Sequence, residues 1–420
     1  MKQRFALGFG NNLDYEVVWD SAVLERLIVE HDIRESDLEH WGRVDSERDV
    51  VIAILGFMRS GRGGERFVSS PMVVEGFATY FDKRVTLGGT GVRAAIAMSR
   101  IGHPSVLHLV TVNEAVRALL PAASEFVCSN DRETVYPHLI VQFDRGATVE
   151  ANDIAITAEQ PNRVIFHSDL DNIHMELSED FRASARGARA LLISGFNAMQ
   201  SESLLADRLR YVASLVRDLE AGTYVYYEDA GYYSEHLRNL VLRTLRGSID
   251  IVGMNEDELG EHRGRSVDIA DPGDVLDAVR DVHARLGVPY VVVHSRSWAA
   301  AYGEGSAALR EALESGVAMA TTRFCLGDDY TAADYWATRA LPPSEEGAAF
   351  ATAINHAGSG TICCVPVPHV GRATGVTIGL GDAFVGGCLP FLPERHEFVT
   401  VRRASDCRSG PTAPDGGDLL

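Results

Sequence analysis

Asp274-Val275-Leu276-Asp277-Ala278-Val279-Arg280-Asp281-Val282-His283-Ala284-Arg285-Leu286-Gly287-Val288-Pro289-Tyr290-Val291-Val292-Val293 decides the fold class. Val275, Leu276, Val279, Val282 and Leu286 recur at the spacing of one helix face. Gly287 can take the left-handed conformation that closes a helix, and Pro289 stands where a helix cannot continue. Tyr290 to Val293 is then a nearly uninterrupted apolar strand. Such strands are covered on both sides, as in parallel sheets between helices.

The same alternation extends upstream. Leu191 to Ser194 and Thr223 to Tyr227 read as strands, with an amphipathic helix over Ser201 to Leu219 between them. A helix near Ser234 to Leu245 leads to the strand Ile249 to Val252. From about residue 175 onward the chain predicts a doubly wound α/β domain. The first half is less regular. Phe5 to Gly8 can join the same sheet, 45–60 and Gly91 to Ile101 read as helices, and Ser105 to Val110 as a strand. Tyr136 to Phe143, Thr148 to Thr157 and Arg163 to Phe166 are β-rich with no helix between them, which suggests a smaller β region inserted into the α/β core. Gly61-Arg62-Gly63-Gly64 reads as a turn, and 405–420 as a disordered tail rich in Ser, Pro, Gly and Asp.

Composition bounds the function. The 420 residues suit two or three domains at ~150 residues each. Lys+Arg is 39 and Asp+Glu is 59, so the net charge is 39 − 59 = −20. That excludes polyanionic partners, nucleic acid and anionic membrane, which need a basic face. Six cysteines lack CxxC or zinc spacing, so they read as small buried apolar residues of a reducing compartment. No apolar run reaches the ~20 residues of a membrane span, and the few apolar residues between Met1 and Asn11 are too short a run for the apolar region of a signal segment. A cytoplasmic protein is expected.

Four motifs carry chemistry. Gly379-Leu380-Gly381-Asp382 precedes an apolar stretch through Val385, Leu389 and Leu392. Its glycines let backbone N–H groups approach an anion, a helix start adds its positive end, and Asp382 can take a proton from a hydroxyl. The same residues would also serve as an ordinary helix cap. Asn255-Glu256-Asp257-Glu258 follows the strand Ile249 to Val252. It offers oxygen ligands for Mg²⁺, or simply the acidic first turn of a surface helix. Asn11-Asn12-Leu13-Asp14 can clamp sugar hydroxyls with both donors and acceptors. Gly88-Gly89-Thr90-Gly91 can present amides to a polar substrate. Each of these two is also a common turn sequence.

The order of the four motifs resembles the ribokinase superfamily, and their detail resembles the ADP-dependent sugar kinases, ADP-dependent glucokinase and phosphofructokinase. Gly253-Met254-Asn255-Glu256-Asp257-Glu258-Leu259 and Thr377-Ile378-Gly379-Leu380-Gly381-Asp382, preceded by Val365-Pro366-Val367, carry it most strongly. Ser194-Gly195-Phe196-Asn197 and Asn162-Arg163 with Asp169 and Asn172 add to it. The resemblance spans roughly residues 5 to 390. It implies a ribokinase-like three-layer α/β/α large domain (1–12, 91–130 and 175–400) with a smaller β-rich lid (within 13–90 and 131–174). It also implies Asp382 as general base and Gly379 and Gly381 as anion hole. Asn12, Asp14, Gly88, Gly89 and Thr90 would bind the sugar. Gly379, Leu380, Gly381 and His294 would bind nucleotide, and Glu228, Asn255 and Glu258 would hold Mg²⁺. The family's His-x-Glu element is matched by Tyr226-Tyr227-Glu228, with tyrosine in place of histidine. Thr90 stands where the family has Asn or Gln, with Arg93 close behind. Arg93 is either a phosphate-binding cation or a solvated helix residue, and His294-Ser295-Arg296 is either a phosphate contact or structural.

The expected activity is a Mg²⁺-dependent sugar kinase that passes a phosphoryl group to a sugar or sugar phosphate, with ADP as donor. The alternatives are an ATP-dependent carbohydrate or nucleoside kinase and a regulator that binds sugar or nucleotide without catalysis. With −20 on the chain, nucleotide binding is expected to depend on the metal.

Overall fold

The computed structural model describes residues 4–39, 42–232, 234–371 and 375–395; the tail 405–420 lies outside them. Among the described residues sixteen strands follow one another. They are β1 (Phe5–Leu7), β2 (Asn12–Val17), β3 (Gly64–Phe67), β4 (Lys83–Gly88), β5 (Ser105–Leu109), β6 (Ser124–Cys128), β7 (His138–Phe143) and β8 (Thr148–Ala151). The rest are β9 (Ile154–Thr157), β10 (Asn162–His167), β11 (Ala190–Ile193), β12 (Tyr224–Glu228), β13 (Ile251–Asn255), β14 (Tyr290–His294), β15 (Trp298–Tyr302) and β16 (Ile362–Pro366).

Nine of them form one sheet in the order β16-β15-β14-β13-β12-β11-β1-β5-β6. All neighbours are parallel except β15, which is antiparallel to both β14 and β16. Side chains alternate between its faces. Ala6, Leu191, Val225, Val252 and Val291 join one core cluster, under the helices Glu202–Arg217, Glu235–Thr244, Glu256–Arg263, Pro272–Leu286 and Glu345–Ala357. Leu7, Leu192, Tyr226, Ile251 and Val292 join the other, under Thr90–Arg100, Arg310–Leu326 and Leu380–Cys388. These are the three layers expected. The stretch that opened the reading forms the helix Pro272–Leu286, closed by Gly287 at φ 66°, followed by β14.

A second sheet of five strands runs β3-β10-β7-β2-β4. Its strands come from residues 12–88 and 138–167, so the chain leaves the large sheet after β1, returns for β5 and β6, leaves again for β7 to β10, and returns at β11. One face is closed by the helices Ser21–Glu30, Glu47–Ser60 and Pro71–Ala78 over Val17, Leu139, Val141, Phe143, Val164 and Phe166. Along β2 the alternation turns Tyr15 and Val17 to that core and sends Asn12, Asp14 and Glu16 to the opposite face. Across the ladder Asp14 stands beside Thr86 on β4 and His138 on β7. That polar face meets the helix Thr90–Arg100. The segment Thr148 to Thr157 is a separate hairpin, β8 with β9. Gly61 of the expected turn caps the helix Glu47–Ser60 at φ 65°, and Gly64 opens β3. Cys363, Cys364 and Cys388 are buried. No helix among the described residues is long and apolar enough to cross a membrane.

Candidate active site

Gly379 is the left-handed cap (φ 68°) of the helix Leu380–Cys388, and Asp382 lies in its first turn. A helix start leaves N–H groups without intrahelical partners and carries a partial positive charge, which an anion at the Gly379–Gly381 turn would meet. A Cβ at Gly379 would stand 2.7 Å from Arg93 Cδ, and one at Gly381 would stand 3.0 Å from His294 Cε1. Gly379 is therefore needed for the turn and for close approach, and Gly381 for close approach to His294.

Asn12 and Asp14 stand on β2 facing this turn. Asn12 Nδ2 donates to Asp14 Oδ1 at 2.5 Å, and Arg93 donates to Asp14 Oδ2 at 2.6 Å. Arg93 Nε lies 3.9 Å from Asp382 Oδ2. Burial raises the Asp14 carboxyl above the usual carboxylate range, opposed by the charges of Arg93 and His138. Arg93 is buried within these carboxylates, so it is not the solvated helix residue that its position allowed. Gly88 pairs with Asn12 in the β2–β4 ladder, and a Cβ there would fall 2.7 Å from both Asp14 oxygens. Gly89 has φ 95° and packs on the Gly10 carbonyl. These two glycines bring β4 against the Asn12 and Asp14 side chains, and Thr90 opens the next helix. Asn11 is committed to the fold: its side chain accepts from Val110 N at 2.8 Å and donates to the Thr111 carbonyl at 2.9 Å.

On the other side of the turn, His294 Nε2 bonds Glu228 Oε1 at 2.8 Å, and the His294 ring lies 4.9 Å from that of Phe384. Burial raises the Glu228 carboxyl, opposed by His294 and reinforced by Asp382 and Asp229. Burial would depress His294, yet Glu228, Glu256 and Asp382 hold its pKa above the ordinary value. Asn255 and Glu258 form a reciprocal cap. Asn255 Oδ1 accepts from Glu258 N at 2.9 Å, and Glu258 Oε2 accepts from Asn255 N at 2.8 Å. Burial, then the charges of Asp229 and Glu228, push the Glu258 carboxyl well above the usual range. The capping reading holds, with Glu258 buried while it caps rather than exposed on a surface helix. Among the described residues no group of three His, Cys, Asp or Glu side chains is assembled to hold a metal. Mg²⁺, however, takes few protein ligands and completes its shell with water and substrate phosphate. Glu228 Oε2 is buried beside the Tyr226 hydroxyl, the two atoms that a Cβ at Gly253 would meet.

Sequence reading missed Arg323 and the stacked pair His138 and His167. Arg323 is buried in the helix Arg310–Leu326, pairs with Asp328, and donates from Nε to the Ile378 carbonyl at 3.0 Å. Burial, with Arg93 nearby, lowers its pKa to about 10. A charged residue within the otherwise small and apolar stretch Ser315–Leu326 was the available signal. His138 stacks on His167 at 4.6 Å and bonds Asp169, which caps a short helix whose Asn172 donates to the Asn11 carbonyl at 2.8 Å. Asp169 and Asn172 thus lie behind the Asn11–Asp14 turn. Asn162 donates to the Gly61 carbonyl at the far end of β10.

Comparison with known proteins extends this picture. No curated protein sequence matches the chain. Among solved structures, a phosphofructokinase from Pyrococcus horikoshii OT3 with AMP aligns at TM-score 0.73 and 17% identity, covering 96% of this chain and 98% of that one. A structure described as an ADP-dependent kinase complex with fructose-6-phosphate and ADPbetaS aligns at TM-score 0.71 and 15% identity, covering 96% and 95%. A last common ancestor of ADP-dependent phosphofructokinases from Methanosarcinales aligns at 0.70 and 15%, covering 94% and 95%. At these identities the likeness establishes the fold. A family model described as the ADP-specific phosphofructokinase/glucokinase conserved region matches residues 3–389. With that match over nearly its whole length, the chain belongs to the ADP-specific phosphofructokinase/glucokinase family, sugar kinases that phosphorylate an alcohol group.

Proposed function

We propose that this enzyme transfers the terminal phosphoryl group of ADP to a hydroxyl of a sugar or sugar phosphate, with Asp382 as general base. The observation that carries the reading is the meeting of Asp14 and Asp382 on one guanidinium, beside the Gly379–Gly381 turn. Asn12 and Asp14 would hold sugar hydroxyls, since each Asp14 oxygen keeps lone pairs beyond those used by Asn12 and Arg93. Asp382 would accept the proton of the attacking hydroxyl, while backbone amides at Gly379, Leu380 and Gly381 hold charge on the moving phosphoryl group. Little else is required, because phosphoryl transfer depends mainly on positioning and charge stabilisation.

The Glu228 and Glu258 carboxyls, both raised by burial and then by neighbouring carboxylates, fit a divalent cation such as Mg²⁺. Glu228, Asn255 and Glu258 would hold it, and when bound it offsets phosphate charge. His294 contributes by fixing the Glu228 carboxylate and closing the floor under Gly381. The five-stranded sheet would act as a lid that keeps water from competing as acceptor. ADP as donor follows the family, and the aligned kinase complex holding an ADP analogue supports it. Two measurements test the reading. Asp382→Asn should abolish turnover while nucleotide binding, followed by calorimetry, stays intact. A donor panel should give sugar phosphate with ADP. Full activity in the variant, or turnover with ATP alone, would overturn it.

A further inference from the structure

Arg93 is one turn into the helix Thr90–Arg100, yet its side chain is only 4% exposed. Its NH2 group reaches Asp14 Oδ2 at 2.6 Å and Glu16 Oε1 at 3.4 Å, both on β2 of the five-stranded sheet. Its Nε faces Asp382 Oδ2 on a helix of the nine-stranded body. The side chain passes through the space that Gly379 leaves open, where a Cβ would also stand 2.9 Å from NH1. NH1 itself is buried with no hydrogen-bond partner. One planar cation therefore spans the two carboxylates that the proposed reaction uses, one from each layer system.

We infer that Arg93 is a positioning residue, which ties the sugar-side carboxylate Asp14 to the base Asp382 so that the base is aimed when the lid sheet is seated. The inference rests on the function proposed above. At 3.9 Å the Nε–Asp382 contact is an ion pair and too long for a hydrogen bond. Catalytic hydrogen bonds are often long in the ligand-free enzyme and tighten in the substrate complex. An approach of about 1 Å would make this one a charge-assisted bond, directing the other Asp382 oxygen toward the hydroxyl. Arginine suits the task because its donors point in fixed, separate directions. Lysine carries the same charge as a single point and cannot hold both carboxylates in register.

The test uses the full-length enzyme with ADP, Mg²⁺ and the sugar that the wild type phosphorylates best. Arg93→Lys keeps the charge that Asp14 needs and should unfold as cooperatively as wild type. Its kcat should fall on the order of 100-fold, the usual effect of a misplaced reacting group, and its sugar affinity should weaken, while its nucleotide affinity stays that of wild type. Adding methylguanidinium to Arg93→Ala should restore part of the lost turnover. An Arg93→Lys enzyme with wild-type kcat overturns the inference. So does a parallel loss of melting temperature, nucleotide affinity and turnover with no rescue, which would make Arg93 a fold element only. If Arg93→Ala does not fold, the lysine variant decides alone. A wild type inert on every sugar with either nucleotide overturns the proposed function and this inference with it, whereas an active wild type isolates the inference.

Discussion

At Gly253 a Cβ would collide with the Glu228 carboxylate and the Tyr226 hydroxyl. Gly253 sits in β13 between Glu228 on β12 and Val292 on β14, so its missing side chain lets His294 reach Glu228 across a central strand. Glu228 thus has an imidazole partner even though tyrosine stands at position 226. Gly253→Ala should cost roughly 1–3 kcal/mol through overpacking. It should also break the His294–Glu228 contact, so that kcat falls in proportion beyond the stability loss; urea unfolding with steady-state rates would measure both. Asp382, Asn255 and Glu258 were legible in the sequence because each lies in a short motif with its own spacing. The His294–Glu228 pair was not, because its members are 66 positions apart. Arg93 and Arg323 were visible as residues, but their burial depends on which helix faces which.

The helix Leu380–Cys388 carries Asp382 and is set by backbone-to-backbone packing. A Cβ at Gly386 would stand 2.6 Å from the Ala94 carbonyl, and one at Gly387 would stand 2.6 Å from the Ser315 carbonyl. A Cβ at Gly316 would meet the Phe384 ring at 2.6 Å. The helix is wedged between Thr90–Arg100 and Arg310–Leu326 with no room to slide. Gly386→Ala should cost about 1–3 kcal/mol, and displacement of Asp382 should lower kcat more than it weakens nucleotide binding. Denaturant midpoints and calorimetry would separate the two effects. Elements with clear periodicity, such as Glu202–Arg217 and Pro272–Leu286, could be read directly. Arg310–Leu326 could not, because it is small-residue-rich and buried on most sides, leaving no polar face to mark a period. β15 escaped for a related reason: its core is three alanines, and its antiparallel insertion leaves no mark in a run that short.

At the scale of the whole molecule, burial lowers the pKa of two histidines among the described residues well below the ordinary value. Burial takes His108 down to about 4, and burial with His138 alongside takes His167 down to about 3. A depressed imidazole gives stability that is complete above the unfolded value near 6.5 and is lost as pH falls toward the folded value. Below pH ~6.5 each should therefore remove about 1.4 kcal/mol per pH unit until its own folded pKa is reached. Because the raised Asp14, Glu228 and Glu258 carboxyls act in the opposite sense, the test is the urea midpoint of wild type minus that of His108→Phe between pH 7 and 4; a difference that does not change with pH would contradict it. At this scale the α/β core with a β-rich inset was legible, since alternating helix and strand differ in composition from consecutive strands. The way the two sheets face each other was not, because it rests on ion pairs such as Arg93–Asp14 between distant segments.

The chain crosses between the two sheets four times, near residues 8–12, 88–90, 128–138 and 167–190. Asn12, Gly88 and Gly89 lie in the first two crossings, and Asn172 in the fourth. A molecule held by Asn12, Asp14 and the Gly88–Gly89 turn would press on the joint itself. No relay through the interior is then needed to tell the two halves that the cleft is occupied. The substrate would work as the pin of the clasp.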